Sequence, residues 1–334
     1  MSDNRRAPGP DEEVLEPALP ICDAHHHLWP VPVWEGVYLL DDLLADTASG
    51  HNVKSSVYVE CQQSYSESGP ERLRPVGETA YAAECAEQSA ARGGTEIVGI
   101  VGYADLREGD KVGDVLDQHA EAGKGRFRGI RHATAWDADP QIGASHVGST
   151  EGLMGEDAFR QGLQVLADRD LVFDAWLYHR QLPELAAAAR AVPALRIVVD
   201  HLGGPLGVAT YAGSDSVLPQ WKEGIADLAT CPNVTMKLGG IGMPLIEHEW
   251  PGRPESPSSE EVAAHWQERF DFCIDAFGAD RCMFESNFPV DRESFSYVVL
   301  WNAFKRMTRG RSVPDRSWLF RDTAVRVYGL PTTS

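Results

Sequence analysis

The run Asp23-Ala24-His25-His26-His27 closes an apolar stretch and opens into a proline-bearing loop, with two imidazoles two residues apart. On a strand, side chains two apart share a face, so His25 and His27 can serve one metal ion or flank one substrate carbonyl. The same alternation groups Asp23 with the pair and sends His26 the other way with Cys22 and Ala24, toward packing or capping. Polar residues recur where later apolar runs end: Glu60 and Gln62, Arg131 and His132, His179, Asp200 and His201, Lys237, then Glu285 and Asn287. Imidazoles, carboxylates and cations gathered at one place can activate water, polarise a carbonyl and hold an anion.

Such a gathering needs a scaffold that brings many strand ends to one face. Eight apolar, β-branched runs lie at 22–27, 54–61, 96–106, 127–133, 171–178, 195–203, 233–242 and 281–289, with Ala- and Glu-rich helical patterns between most of them. Strand and helix in alternation, eight times over, predict a single-domain (β/α)8 TIM barrel whose site lies at the C-terminal ends of the strands. An open doubly wound sheet would call for a glycine-rich phosphate loop after the first strand, and here that strand ends in histidines. Residues 1–18 read as a polar tail and 19–332 as the barrel, with a Pro- and Ser-rich mouth loop near 243–261.

The 334 residues carry thirty Lys and Arg against fifty Asp and Glu, a net charge of −20 that disfavours nucleic acid and anionic membrane surfaces. The expected partner is a small molecule, with self-association through the helical shell open. Six cysteines without CxxC spacing argue against a zinc ribbon or dithiol motif and fit a reducing cytoplasm. Cys61 and Cys282 have the parity of packed apolar residues.

DAHHHLW, SSVYVECQQSY, FRGIRH, VVDHLGG and MFESNFPVD, in that order over about residues 20–330, resemble the amidohydrolase superfamily. The similarity is to its branch of metal-dependent hydrolases, which includes 2-pyrone-4,6-dicarboxylate lactonase and fuconolactonase. The resemblance implies a barrel hydrolase that opens a lactone or related activated carbonyl compound, with a carboxylated small molecule as expected substrate. It makes His25, His27 and His201 the site histidines, and Arg128 or Arg131 the holder of a substrate carboxylate. One divalent ion, zinc or manganese, would sit on His25, His27 and one or more of His201, Glu60 and Glu285; metal-free hydrolysis is the other route.

One position departs from the family turn: Asn287 stands where relatives carry an aspartate, and an amide is no general base near neutral pH. Glu285, two residues earlier, is the expected replacement as base or ligand, with pairing to Lys237 or an arginine as the alternative. His132, His179, Lys237 and Trp250, with His248 beside it, are the remaining substrate-contact candidates, and Asp291 reads as a helix cap. Three other functions fit the same scaffold: metal-dependent decarboxylation of an aromatic acid, redox-metal oxygen chemistry, and ligand binding without catalysis.

Overall fold

The computed structural model describes residues 10–33, 36–146, 148–246, 250–251 and 253–332. Eight parallel strands follow one another around a single sheet: β1 (Pro20–His26), β2 (Asn52–Val59), β3 (Glu96–Gly102), β4 (Phe127–Arg131), β5 (Val172–Ala175), β6 (Arg196–Val199), β7 (Val234–Leu238) and β8 (Cys282–Phe284). Closure between β8 and β1 falls just beyond the strands. Asn287 N–H donates to the His25 carbonyl at 2.9 Å and His27 N–H to the Phe288 carbonyl at 2.8 Å.

Helices α1 (Leu40–Thr47), α2 (Val76–Ala91), α3 (Gly113–Ala122), α4 (Asp157–Asp168), α5 (Leu182–Ala191), α6 (Val217–Ala229), α7 (Ser259–Phe277) and α8 (Tyr297–Met307) cover the outside. A last helix, Thr323–Tyr328, contributes Ala324, Val327 and Tyr328 to a cluster with Cys22, Ala24, Val57, Val59, Val172, Val198 and Met283. Both faces of each strand are thus covered, which is why the strands read as continuous apolar runs. Phe284 of β8 stacks on Phe304 of α8 at 4.5 Å between ring centres and on Phe270 of α7 at 6.0 Å. Pairs of this kind contribute about 0.5–1.5 kcal/mol beyond area burial and seat the strand that leads to Glu285.

The first strand corrects the parity argument. Cys22 and Ala24 lie in the cluster with the interior valines, whereas Asp23 accepts hydrogen bonds from Ser286 N–H at 2.8 Å and Tyr297 Oη at 3.0 Å. Asp23 pairs with Ser56 but His26 with Tyr58, three steps on β1 against two on β2. This β-bulge inverts the alternation, so that His25 faces inward although Asp23 does not.

Two boundaries also move. A reciprocal cap between Ser258 and Glu261 starts α7 at Ser259, inside the stretch expected to be mouth loop. Residues 12–16, expected in a free tail, are docked on α8. Asn302 accepts from Leu15 N–H at 2.8 Å and donates to the Glu13 carbonyl and a Glu12 carboxylate oxygen, both at 3.0 Å. Lys305 donates to the Leu15 and Glu16 carbonyls at 2.7 and 3.0 Å. Because Asn302 is fully buried, Asn302→Ala strands backbone groups and is expected to cost about 1–3 kcal/mol, read as a lower midpoint in urea titration.

Candidate active site

Inside the barrel a charged layer underlies the histidines. Lys237 of β7 is fully buried, with its ammonium 2.6 Å from Asp174 Oδ2 of β5 and 3.0 Å from Asp200 Oδ1 at the end of β6. Tyr328 Oη donates to Asp174 at 2.8–2.9 Å from below. Burial alone would strip the charge from Lys237; Asp174 and Asp200 outweigh it and raise the lysine above its ordinary range. Lys237 therefore pairs with these two aspartates and serves as the floor of the site.

His25 and His27 stand on this floor with Nε2 atoms 3.2 Å apart. The hydrogen on His27 is fixed, because Nδ1 lies 2.8 Å from the Val59 carbonyl, which can only accept; Nε2 then carries a lone pair. His25 Nδ1 lies 3.0 Å from Glu285 Oε2 and 3.1 Å from Lys237 Nζ. With its hydrogen on Nδ1, His25 donates to Glu285, and two Nε2 lone pairs converge on one point. With the hydrogen on Nε2, it donates to His27 instead and accepts from Lys237. Burial holds both imidazoles well below the usual histidine range, aided by Lys237 at His25 and by Arg131 at His27, so both are neutral.

His26 takes the opposite side, its Nε2 3.1 Å from Ser56 Oγ and its ring edge-on to Tyr58. Burial lowers it to about 4, against a small opposing contribution from the His27 carbonyl. Below pH 6.5 the unfolded chain takes up this proton and the folded chain does not. His26 thus contributes stability that is full above pH 6.5 and lost between 6.5 and about 4, at about 1.4 kcal/mol per pH unit. The acid limb of unfolding free energy against pH is expected to be shallower by one proton in His26→Asn than in the wild type; equal slopes would contradict the assignment.

His201 leaves β6 in the left-handed region, φ 53°, with Gly240 of the next strand end packed against its ring. Its Nδ1 is 2.7 Å from Glu285 Oε1, leaving Nε2 free, and its ring lies 4.7 Å from that of His25. Burial works against the Glu285 charge, but His201 and His25 overcome it and hold the carboxyl at about 2. Glu285 reaches the site as expected, yet a carboxylate so acidic is a poor base, and its two oxygens face the Nδ1 atoms of two imidazoles. Its geometry is that of an orienting group, of the kind that fixes histidine tautomers beside metals and catalytic bases.

Asn287 does not line up beside Glu285, because β8 stops at Phe284 and Asn287 itself has φ 53°. Its Nδ2 donates to Asp291 Oδ1 at 2.8 Å, and Asp291 Oδ2 accepts from Gly242 N–H at 2.9 Å. Asp291 is therefore a buried tie between the loops after β7 and β8, where a helix cap was expected. Burial raises its carboxyl to about 7.

Arg131 and Glu60 meet across the mouth. Arg131 Nε donates to Glu60 Oε1 at 2.8 Å, Nη2 donates to the Glu60 carbonyl, and Nη1 sits 3.5 Å from His25 Nε2. Glu60 is thus committed to Arg131, away from the metal-ligand role. Arg128 is three residues from Arg131 and so on the other face of β4; its guanidinium bonds the Gly125 and Phe127 carbonyls at 2.9 Å, at the opposite end of the barrel. That removes it from the substrate contacts.

His132 also faces outward, against Tyr103 and Phe159, and its Nδ1 accepts from Leu106 N–H at 3.2 Å. His179 accepts from Leu206 N–H at 3.4 Å and packs edge-on to Tyr211. Trp250 is buried against His265 and Phe295, where it anchors its loop. These three sit in packing roles and not among the clustered imidazoles. His248 lies outside the described residues. Burial raises the Cys61 thiol well above its ordinary value and also raises Cys282, as packed cysteines require.

Asp200 ends its strand beside His201, and the sequence alone assigns it no role in the site. Its Oδ1 is held by Lys237 at 3.0 Å, and its Oδ2 is buried without a hydrogen-bond partner among the described residues. His25, Asp200 and His201 offer ligand atoms within 4.8 Å of one another. Two nitrogens on one tetrahedral ion at about 2.0–2.1 Å stand about 3.3–3.4 Å apart. The 3.2 Å separation in the His25–His27 pair fits that spacing. Two imidazoles whose Nε2 atoms converge, with the Asp200 carboxylate 3.7 Å from the His25 ring, make a donor set suited to a borderline divalent cation.

Neutral histidines, an oriented carboxylate and a buried cation at the C-terminal mouth of a parallel barrel are the equipment of a barrel hydrolase. Comparison with known proteins agrees. The amidohydrolase family model matches residues 22–330, and the chain belongs to that family. Protein y4mH of Sinorhizobium fredii is 34% identical over 93% of this chain and 98% of its own. An L-fucono-1,5-lactonase of Burkholderia multivorans is 31% identical over 76% of this chain and 77% of its own. The crystal structure of a zinc-bound amidohydrolase from Burkholderia multivorans superposes with TM-score 0.72 at 27% identity, covering 93% of this chain and 99% of that one. No helix among the described residues is long and apolar enough to cross a membrane.

Proposed function

We propose that this hydrolase opens a lactone ring by attack of water at the carbonyl, with one divalent ion held by His25, His27 and Asp200. The observation that carries the reading is the His25–His27 pair, whose Nε2 atoms converge at 3.2 Å while Val59 and Glu285 face the two Nδ1 atoms. The similarity to an L-fucono-1,5-lactonase supports the lactone, and the zinc-bound relative supports the ion. A divalent ion, when bound, supplies Lewis acidity toward the carbonyl and lowers the pKa of water.

The chain's own groups do the rest. Glu285 holds the hydrogen of His201 on Nδ1, so Nε2 accepts the proton of the attacking water and the resulting imidazolium is stabilised by a carboxylate at 2.7 Å. The same proton, returned from Nε2, serves the leaving alkoxide of the opened ring. Lys237 Nζ, 3.1 Å from His25 Nδ1, supports that imidazole from the floor of the site. At 0–3% exposure, the histidines work in a site largely closed to bulk water, where such contacts are strong.

Elemental analysis of the purified protein, combined with hydrolysis of a lactone panel before and after chelation, tests this. About one divalent ion per chain, activity lost on chelation and regained with zinc or manganese, is the expected result. Full activity in metal-depleted protein would move the chemistry to the His201–Glu285 pair alone, and no turnover of any lactone would overturn the reading.

A further inference from the structure

We propose that a cavity at the N-terminal ends of β3 and β4 binds a small dianion, a phosphate ester or a dicarboxylate, on Arg126 and Arg128. It lies at the end of the barrel opposite the clustered histidines and stands independently of the lactone reading.

The cavity holds about 250 Å³, with Ala86 and Ala90 of α2 and Ile97 of β3 on its apolar wall and Lys124, Arg126 and Arg128 in its polar lining. The turn that carries these cations from α3 into β4 passes through Gly125, φ 81°, where a Cβ would meet no atom within 4 Å; the backbone leaves that side open. Both hydrogen bonds of the Arg128 side chain leave from Nη1, to the Gly125 and Phe127 carbonyls at 2.9 Å. Its Nε is buried without a hydrogen-bond partner among the described residues, and Nη2 is bonded to none of them. Nε and Nη2 carry the two parallel N–H bonds with which an arginine forks a carboxylate or phosphate. A buried donor left unpaired is costly, and an anion's oxygen removes that cost.

The charges point the same way. Burial first, and the guanidinium of Arg126 second, push Arg128 below its ordinary value. Neither arginine has an ion-pair partner among the described residues. Elsewhere on this protein arginines meet carboxylates: Arg107 with Asp105, Arg190 with Asp227, Arg311 with Asp271 and Arg316 with Glu16. Lys124 is bonded to Glu87 at 2.9 Å, and Glu96, also on the cavity lining, pairs with neither guanidinium. Two like charges beside one cavity with no acid between them, in a chain of net charge −20, call for an anion from solution. A doubly charged ligand answers both guanidiniums, and the apolar wall accepts a short carbon body.

Calorimetric titration of the full chain at fixed ionic strength uses glycerol 3-phosphate and succinate, with acetate as the singly charged control. At least one dianion is expected to saturate one site per chain about tenfold or more tightly than acetate, the size of one charge-assisted hydrogen bond. The dianion that binds tells phosphate ester from dicarboxylate. Affinity is expected to fall by about tenfold or more in Arg126→Gln and in Arg128→Gln, while Arg126→Gln keeps the lactone turnover of the wild type. Binding of neither dianion, binding no tighter than that of acetate, or an unchanged affinity in Arg126→Gln or in a folded Arg128→Gln would overturn the proposal. Loss of turnover together with binding in Arg126→Gln would place the anion at the catalytic site and overturn it too. Arg128→Gln releases two backbone carbonyls, so Arg126→Gln, which breaks no hydrogen bond among the described residues, decides if that variant fails to fold.

Discussion

Alanine at His201 is expected to lower kcat/KM for lactone opening by about 10²–10⁴-fold, the range for loss of a general base, while bound metal stays near the wild-type stoichiometry. The distinction follows from how the two kinds of histidine are held. The Nε2 atoms of His25 and His27 converge on one point, and Val59 and Glu285 face the opposite ring nitrogens. His201 presents its own Nε2 from the end of β6, backed by Glu285 at 2.7 Å. Removing it should take away a proton acceptor and leave the cation's donors. His25→Ala, in contrast, is expected to lose metal and turnover together. If His201→Ala loses metal in proportion to activity, His201 is a ligand and the water's proton goes elsewhere.

Lys237→Met is expected to cost about 3–5 kcal/mol of stability, the effect of removing one partner from a buried ion pair. Asp174 and Asp200 are fully buried, and Lys237 is the cation within 2.6 and 3.0 Å of them. Methionine has nearly the length of the lysine stem, so packing is retained and the penalty is electrostatic. The carboxylates left behind would then resist ionisation, so the variant should lose more stability as pH rises through their raised pKa values. Adding Asp174→Asn to Lys237→Met removes one stranded charge and should recover a large part of the loss. Urea titrations of the two variants across pH 5–8 read this directly, and a Lys237→Met protein as stable as the wild type would refute it.

The strands were legible because a barrel strand is apolar on both faces, as in Arg196–Val199 and Glu96–Gly102. The functional strand ends were legible because charge has little other reason to appear there. What local sequence could not carry was the geometry past each strand end. Parity grouped Asp23 with His25 and His27, a two-residue rhythm that the bulge after Asp23 breaks. Asn287 and Glu285 looked like neighbours on one face, until a left-handed turn sent Asn287 to Asp291.

The resemblance pointed to Arg128 or Arg131 for the substrate without choosing, although their odd spacing on β4 allows only one of them inside. The commitment of Arg131 to Glu60 spans 71 positions of sequence, a distance at which no pattern reports. Asp200 could have been found: an acidic residue with the parity of interior Val198, directly before a site histidine, has few reasons to be buried other than a charged neighbour.

Ring opening at neutral pH converts a neutral lactone into a carboxylate and a proton, so proton release into a weakly buffered indicator solution follows the reaction itself. Purified protein mixed with a panel of hydroxylated 1,5-lactones is expected to release protons at a saturable rate above the spontaneous one, with His201→Ala returning the trace to background. Proton release by the wild type no faster than buffer across that panel would contradict the assignment of this site to lactone hydrolysis.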